Sequence, residues 1–522
     1  MLRFATPAAL VAVILFGAGI RLYGRAAHPD LLRDEGISYL AATCHQGEFD
    51  AVVRGSLVGK WVPASEWTRL VRVEDRFCFR TIARDLIKTD KHPPLYFWVL
   101  HLWLLAFPVA PWTGLALNLL FFAFGALFLY GVAKELLADT PSAFVVMIAW
   151  AWSPWVALVA YEARPYELLA LLTCAMLWVA QRWSNPAVAM GVARTASLAV
   201  MAVAGALTHY HFAIVLVAVS VWGLARLGRN HFKRWLIGNG AMLGGVGAAF
   251  VVHPIASVLR GRVPRRLGQT SMDPEGWRSG IARASDVFEA FFDPLVRAPT
   301  GVVLLALVLA LVAWSLYRRW QAVGNVSLRP AWRGASVLVV AAISVGVLVA
   351  AFASGITPRH AMGPKYASLA WPTLAFVPVL VARLLPRGRL LVMVGVAALY
   401  LVAAVSGTPF RGDPRRRFQT QWLDASYVTL GDDHRLRLPR ILLRVRDSAS
   451  IFHATPQSVS RHLDAWETPW RRSQLVLSSK LARQQQTKDL LALLADRGMR
   501  IRRRSSGGFV TWTLVRVNRS GR

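Results

Sequence analysis

The sequence predicts a polytopic α-helical membrane protein with about 11 to 13 transmembrane helices and a small C-terminal α/β domain. Three observations carry that prediction. Apolar runs of about 18 residues or more recur between residues 4 and 406, each long enough to cross a hydrocarbon layer of roughly 30 Å at 1.5 Å per residue. The chain is 55% hydrophobic with 21 tryptophans and has a mean hydropathy of +0.42, which is more apolar sequence than one soluble core absorbs. Beyond about residue 410 these runs stop and short alternating stretches replace them.

Taken in order, the predicted spans are residues 4–22, 112–133, 143–160, 166–183, 192–208, 211–227, 235–257, 299–317, 334–354, 366–385 and 389–406. The first run has only Arg3 as a charged leader and no small-x-small cleavage pattern before Asp34, so it reads as a retained helix rather than a signal peptide. A shorter run, Leu95 to Pro108, is bounded by Pro93, Pro94, Pro108 and Pro111. Its length suits a re-entrant or interfacial segment. If it does not cross, the count is about eleven; if it does and another span splits or dips, about twelve or thirteen. The polar segments are a long first loop (25–92), a second loop (258–298) and the C-terminal portion. In that last portion "SQLVLSS" (473–479) and "GFVTWTLVRV" (508–517) alternate as strands do, while "TKDLLALLADRGMRI" (487–501) has helical spacing that ends at Gly498. The predicted domains are therefore 1–409 in the membrane and 410–522 outside it. Trp466, Trp470 and Trp512 read as core of the latter.

The formal charge is +32 and the isoelectric point about 11.4. In a soluble chain such a balance points to nucleic acid. Here arginines flank the apolar runs, as in loops that anchor on anionic headgroups. The basic short loops at 224–235, 317–333 and 383–389 are the cytoplasmic candidates. Alternation from these places "YEARPY" (161–166), "THYHF" (208–212), "TPRHAMGPKY" (357–366) and the C-terminal portion on the exoplasmic or periplasmic side of a multi-pass cytoplasmic-membrane protein. The arginines of "RGRVPRRLG" (260–268) also fall outside, against the rule, which weakens in longer loops. Cys44 and Cys78 both lie in the first loop; they pair if it faces an oxidising compartment and are free thiols otherwise. Cys174 sits inside an apolar run and reads as packing.

Candidate chemistry starts at the doublet Asp34 and Glu35 in "LLRDEGISYL" (31–40). Acids at a loop end are common on a solvated membrane edge. What sharpens the pair is that other polar groups recur on the same predicted side: His92 in "DKHPPLYFWV", Glu162 and Arg164 in "YEARPYELL", His209, Tyr210 and His211 in "THYHF", and Lys365 with Tyr366 in "GPKYASLAWP". Carboxylates for proton abstraction, cations for phosphate and aromatics for stacking suit phosphate-activated group transfer at a membrane surface.

The order of DE after the first span, HPPLY, EARPY, an HY pair and a later KY before a proline-containing span resembles the integral-membrane glycosyltransferases of the GT-C class. The likeness is to the protein mannosyltransferase and aminoarabinose transferase group and covers about residues 1–406. The resemblance implies a polyprenyl-phosphate-linked sugar as donor partner. Asp34 matches the acid taken as catalytic base and Glu35 its supporting neighbour. His92, Arg164, Lys365 and Tyr366 match groups near the lipid phosphate, with Glu162 a second acid and His209 and His211 in support. Where the aminoarabinose transferases carry an arginine shortly after the acids, this sequence has Ile37 and Ser38, which points away from that sugar. No cofactor is implied. The two histidines of "THYHF" leave a divalent metal open but read better as hydrogen-bonded structural groups.

A polyprenyl phosphate leaves as a stable anion, so cations to hold it and a carboxylate to take the acceptor's proton suffice, with inversion in one displacement. Rossmann and P-loop glycine signatures are missing, as a donor arriving through the membrane requires. The acceptor, whether protein, lipid or glycan, is not legible. Two other classes compete: a transporter or flippase, whose charges would mark a permeation path, and a scaffold whose C-terminal domain binds envelope polymer. Against the transporter, the polar motifs fall at span ends and no inverted repeat is evident.

Overall fold

The computed structural model describes residues 2–27, 34–53, 55, 57, 59–89, 92–160, 162–253, 335–353, 368–383, 389–406, 426–430, 449–454, 472–478, 485–496, 499–506 and 509–516. The second loop, the span at 299–317, Lys365 and Tyr366, and Trp466 and Trp470 lie outside the described residues.

Helix α1 (Leu2–Ala27) is followed by four short helices of the first loop, α2 (Glu35–Ala42), α3 (Gln46–Val52), α4 (Ala64–Thr68) and α5 (Phe79–Thr89). Then come α6 (Leu95–Ala106), α7 (Thr113–Leu137), α8 (Thr140–Ala151), α9 (Pro154–Ala160), α10 (Tyr166–Trp183), α11 (Val192–Thr208), α12 (Phe212–Leu227) and α13 (Phe232–Val252). Further helices cover Leu338–Ala353, Trp371–Leu374, Val377–Arg383 and Arg389–Ser406. Among the described residues three helices are long and apolar enough to cross a membrane, Thr6–Ala26, Thr113–Leu137 and Arg229–Val252, and shorter apolar helices accompany them. At 12 residues α6 is about 18 Å long, well short of a hydrocarbon layer.

Two predicted spans are not single helices. The run 143–160 divides into α8 and α9 because Pro154 has no N–H to continue the ladder and crowds the preceding turn. Residues 371–383 likewise break between Leu374 and Val377. Caps set other ends: Asp139 accepts from Ser142 N at 2.9 Å to begin α8. The bundle core is continuous, with Phe97, Phe122, Trp150, Trp222 and Trp371 buried in it. Close helix approach depends on small residues. At Gly245 of α13 a Cβ would stand 2.5 Å from Ala199 O of α11.

The C-terminal portion forms a six-stranded sheet in the order β1-β3-β2-β4-β6-β5, with β2 (Ser426–Leu430), β3 (Ser450–Ala454), β4 (Arg472–Ser478), β5 (Met499–Ser506) and β6 (Phe509–Arg516). Its edge strand β1 (Trp61–Pro63) comes from the first loop and runs antiparallel to β3, Val62 opposite Ile451. Gly59 N donates to His453 O at 2.7 Å and Ala64 N to Ala449 O at 2.7 Å, extending the seam on both sides. The helical stretch read as ending at Gly498 is the helix Gln485–Asp496, and beyond that glycine Met499 onward pairs with β6 as β5.

The first loop is therefore a folded layer. Leu40, Phe49, Trp67, Leu70 and Ile451 share one buried cluster, joining α2, α3, α4 and β3. Cys44 and Cys78 form a disulfide with a Cα–Cα separation of 6.3 Å, tying the end of α2 to the start of α5. Buried His101 of α6 sets one ring nitrogen 2.7 Å from Ala42 O and the other 2.8 Å from Arg76 O, seating α6 under the same layer.

Candidate active site

The doublet stands where α1 returns into α2. Asp34 is the half-buried residue preceding α2, and Glu35 is its first residue and fully buried. The two acids thus differ in kind. Glu35 Oε2 lies 3.1 Å from Arg25 Nη1 of α1, and its Oε1 accepts from Ala163 N at 3.1 Å. A buried carboxylate so held ties three segments together. Arg25 also donates through Nη2 to Pro111 O at 2.8 Å, while Tyr39 OH donates to Ala110 O at 2.9 Å and accepts from Gly114 N at 2.9 Å. The start of α7 is pinned to α2 by these bonds.

The "YEARPY" turn is built from α7. Asn118 Nδ2 donates to Ala160 O at 2.7 Å and to Glu162 O at 2.6 Å, and Arg164 N closes on Glu162 O at 2.7 Å. This aims the buried Arg164 side chain at the doublet. Its Nη1 is 3.5 Å from Asp34 O and 3.4 Å from Ser38 Oγ, and its Nη2 is 3.4 Å from His92 Nε2. Ser38, in the stretch where the resemblance would have an arginine, instead meets a guanidinium from a distant turn.

Beyond His92 the histidines continue in a row. The rings of His92 and His209 are 5.8 Å apart, His209 and His211 4.6 Å, and Tyr166 and His209 5.8 Å. His211 N donates to His209 Nδ1 at 3.2 Å, as the turn between α11 and α12 folds on itself. Burial, with the neighbouring His211, His92 and Arg164 adding to it, holds His209 well below the usual imidazole range. Burial and His92 bring His211 down to about 4. Both rings are held toward the neutral form, and the Arg164 guanidinium supplies a fixed positive charge beside Asp34.

The structure brings Asp34, Glu35, Glu162, Arg164, His92, His209 and His211 to one end of the bundle. Sequence reasoning missed Arg25, Asn118 and Tyr39, and also Arg21 one turn before Arg25. Arg21 is fully buried, donates to Ala151 O at 2.9 Å, lies 3.8 Å from Glu167 Oε1 and stacks 3.6 Å from the Phe122 ring centroid. A signal was present: two arginines at i and i+4 in an apolar run face a bundle interior more often than lipid. Among the described residues the one group of metal-type donors within mutual reach is Cys44, Cys78 and His101, and its two sulfurs are joined to each other.

No protein-family model matches the chain. No curated protein matches it either. Among solved structures the chain is similar to ArnT from Cupriavidus metallidurans bound to undecaprenyl phosphate, at 15% identity and TM-score 0.47 over 97% of each chain. The apo state of ArnT gives 15% identity and TM-score 0.44 over 83% of this chain and 91% of that one. An Archaeoglobus fulgidus oligosaccharyltransferase in its apo form gives 10% and 0.41 over 91% of this chain and 69% of that one. Likeness at these values assigns no residue a role.

Proposed function

We propose that the protein is an inverting glycosyltransferase of the GT-C type, moving one sugar from a polyprenyl-phosphate donor to an acceptor at the outer face of the membrane. The observation that carries the reading is the position of Arg164: one guanidinium lies within 3.5 Å of both Asp34 O and His92 Nε2, so three motifs distant in sequence share one site. In this reading the Asp34 carboxylate takes the proton of the acceptor hydroxyl. The acceptor oxygen then bonds to the anomeric carbon from the side opposite the phosphate, and the bond from that carbon to the phosphate oxygen breaks. Arg164 and His92, with Lys365 and Tyr366 of the later motif, hold the departing polyprenyl phosphate; a guanidinium does so by paired N–H donors. Glu35 keeps the acid-bearing turn in place.

The test is sugar release or transfer from a panel of radiolabelled polyprenyl-phosphate sugars by purified protein in lipid. Asp34→Asn lowers turnover by about 10²- to 10⁴-fold while binding of undecaprenyl phosphate stays within twofold. Equal turnover in the variant removes Asp34 from the mechanism. Inactivity of the wild type with every donor and acceptor offered counts against the transferase reading.

One observation favours transport as the second reading, namely the ion pair of Arg21 and Glu167 inside the bundle. The aromatic rings of Phe122 and Trp150 close over Arg21, which suits a packed structural pair better than a permeation path. Donor flipping in vesicles without sugar release would favour transport.

A further inference from the structure

At the end of α7 remote from the candidate site, α7 and α10 leave a groove of about 430 Å³ between them. Its character changes along its length. Toward mid-span the wall is apolar: Phe124 is 55% and Leu127 42% exposed, and Phe128 packs on Trp178 with ring centroids 5.3 Å apart. Gly131 keeps the floor low, since a Cβ there would stand 3.3 Å from Trp178 Nε1. The far end is charged, with Lys134 in the last turn of α7 and Arg182 in the last turn of α10.

The charges at that end do not cancel. Arg182 lies over the Trp178 ring at 3.7 Å, and its Nε and Nη2 donate to Glu135 Oε1 at 2.9 and 2.6 Å. Gln181 Nε2 donates to the other Glu135 oxygen at 3.3 Å. Glu135 is thereby neutralised by Arg182, and among the described residues no carboxylate pairs with Lys134. The groove closes with one surplus positive charge, above an apolar trough open to the side of the bundle. At 25 residues α7 is about 37 Å long, so this end lies in the leaflet opposite the candidate site. Arginines at nearby helix ends, such as Arg383 donating to Leu137 O at 3.0 Å, mark it as the basic side, where anionic lipids are attracted.

We infer that this groove binds one anionic phospholipid, its phosphate at Lys134 and Arg182 and an acyl chain along Phe124, Leu127 and Trp178. A zwitterionic headgroup would bring its own cation against Lys134, so the groove discriminates by charge. The occupant is a bilayer phospholipid rather than a polyprenyl phosphate because the charged end lies a full span away from the candidate site.

Trp178 provides the readout. The full-length protein is reconstituted in phosphatidylcholine vesicles containing a minor fraction of brominated-chain phosphatidylglycerol or brominated-chain phosphatidylcholine. The Trp178 contribution to quenching is taken as the difference between wild type and Trp178→Phe. Phosphatidylglycerol is expected to quench with about fivefold preference, the scale of one basic side chain at an anionic headgroup. That preference falls to about onefold in Lys134→Gln, a change at a partly exposed helix end that leaves Glu135 and Arg182 paired. Equal quenching of the Trp178 contribution by the two lipids overturns the proposal, as does a preference in that contribution that survives Lys134→Gln. Displacement by undecaprenyl phosphate at lower mole fraction than phosphatidylglycerol also overturns it, transferring the groove to a polyprenyl ligand.

Discussion

At the scale of single residues, adjacent acids have opposite duties. Glu35 is sealed, with one oxygen on Arg25 and the other on the Ala163 amide, whereas Asp34 stands half-exposed at the mouth of the turn. Nothing in the doublet itself separates them, because burial is decided by where α1 and the 162–165 turn meet. The pair Arg25 and Glu35 carries a clear expectation. Removing one partner of a buried ion pair strands the other charge, which costs about 3–5 kcal/mol, while replacing both by neutral groups costs much less. In a double-mutant cycle read by thermal or denaturant unfolding, Arg25→Gln and Glu35→Gln should each destabilise strongly, and the double variant should cost less than either single one. Additive effects would mean that the contact contributes nothing to the folded site.

At the scale of elements, the long helices were legible because their apolar runs are uninterrupted, and α10 falls on residues 166–183 as its hydropathy requires. The first loop was legible only as polar sequence. Its helices are short, and helices of 5 to 11 residues have little stability of their own. They stand because Trp67, Phe49 and Leu70 are buried together and because Cys44 is bonded to Cys78. Their closed loop spans a separation of 34 residues, so the cross-link is worth up to about 4 kcal/mol by loop-closure entropy. Cys44→Ser, or reduction of the wild type, should lower the unfolding midpoint and raise amide exchange in α2 and α5 ahead of the membrane helices. Unchanged exchange in those two helices would show that packing alone holds the layer.

At the scale of the whole molecule, the sheet binds the two ends of the chain. Strand β1 belongs to the same loop as the doublet but completes a sheet whose other five strands lie beyond residue 425, and Leu40 of α2 shares a core with Ile451 of β3. The C-terminal portion therefore supports the acid-bearing turn. Deleting residues 410–522 should expose α2 to α4 to proteolysis and abolish sugar release along with acceptor choice. A truncated protein whose first loop stays protected, and which still releases sugar from a competent donor, would confine the sheet to acceptor handling.

The sequence by itself determined that this is a many-helix membrane chain with its polar motifs at helix ends, since run length and loop charge are local properties that hydrocarbon thickness and headgroup charge read directly. It also marked most of the candidate site, because Asp34, His92, Arg164 and His209 are conspicuous polar residues at the edges of apolar runs. Only the tertiary structure decided that Arg164 reaches Asp34 and His92, that Arg25 claims Glu35, and that β1 joins the C-terminal sheet. Those are pairings across tens to hundreds of residues, fixed by the angle at which helices cross and strands align. No local pattern encodes such an angle; the packed bundle selects it by bringing groups such as Arg25 and Glu35, or Arg164 and Asp34 O, within reach of each other.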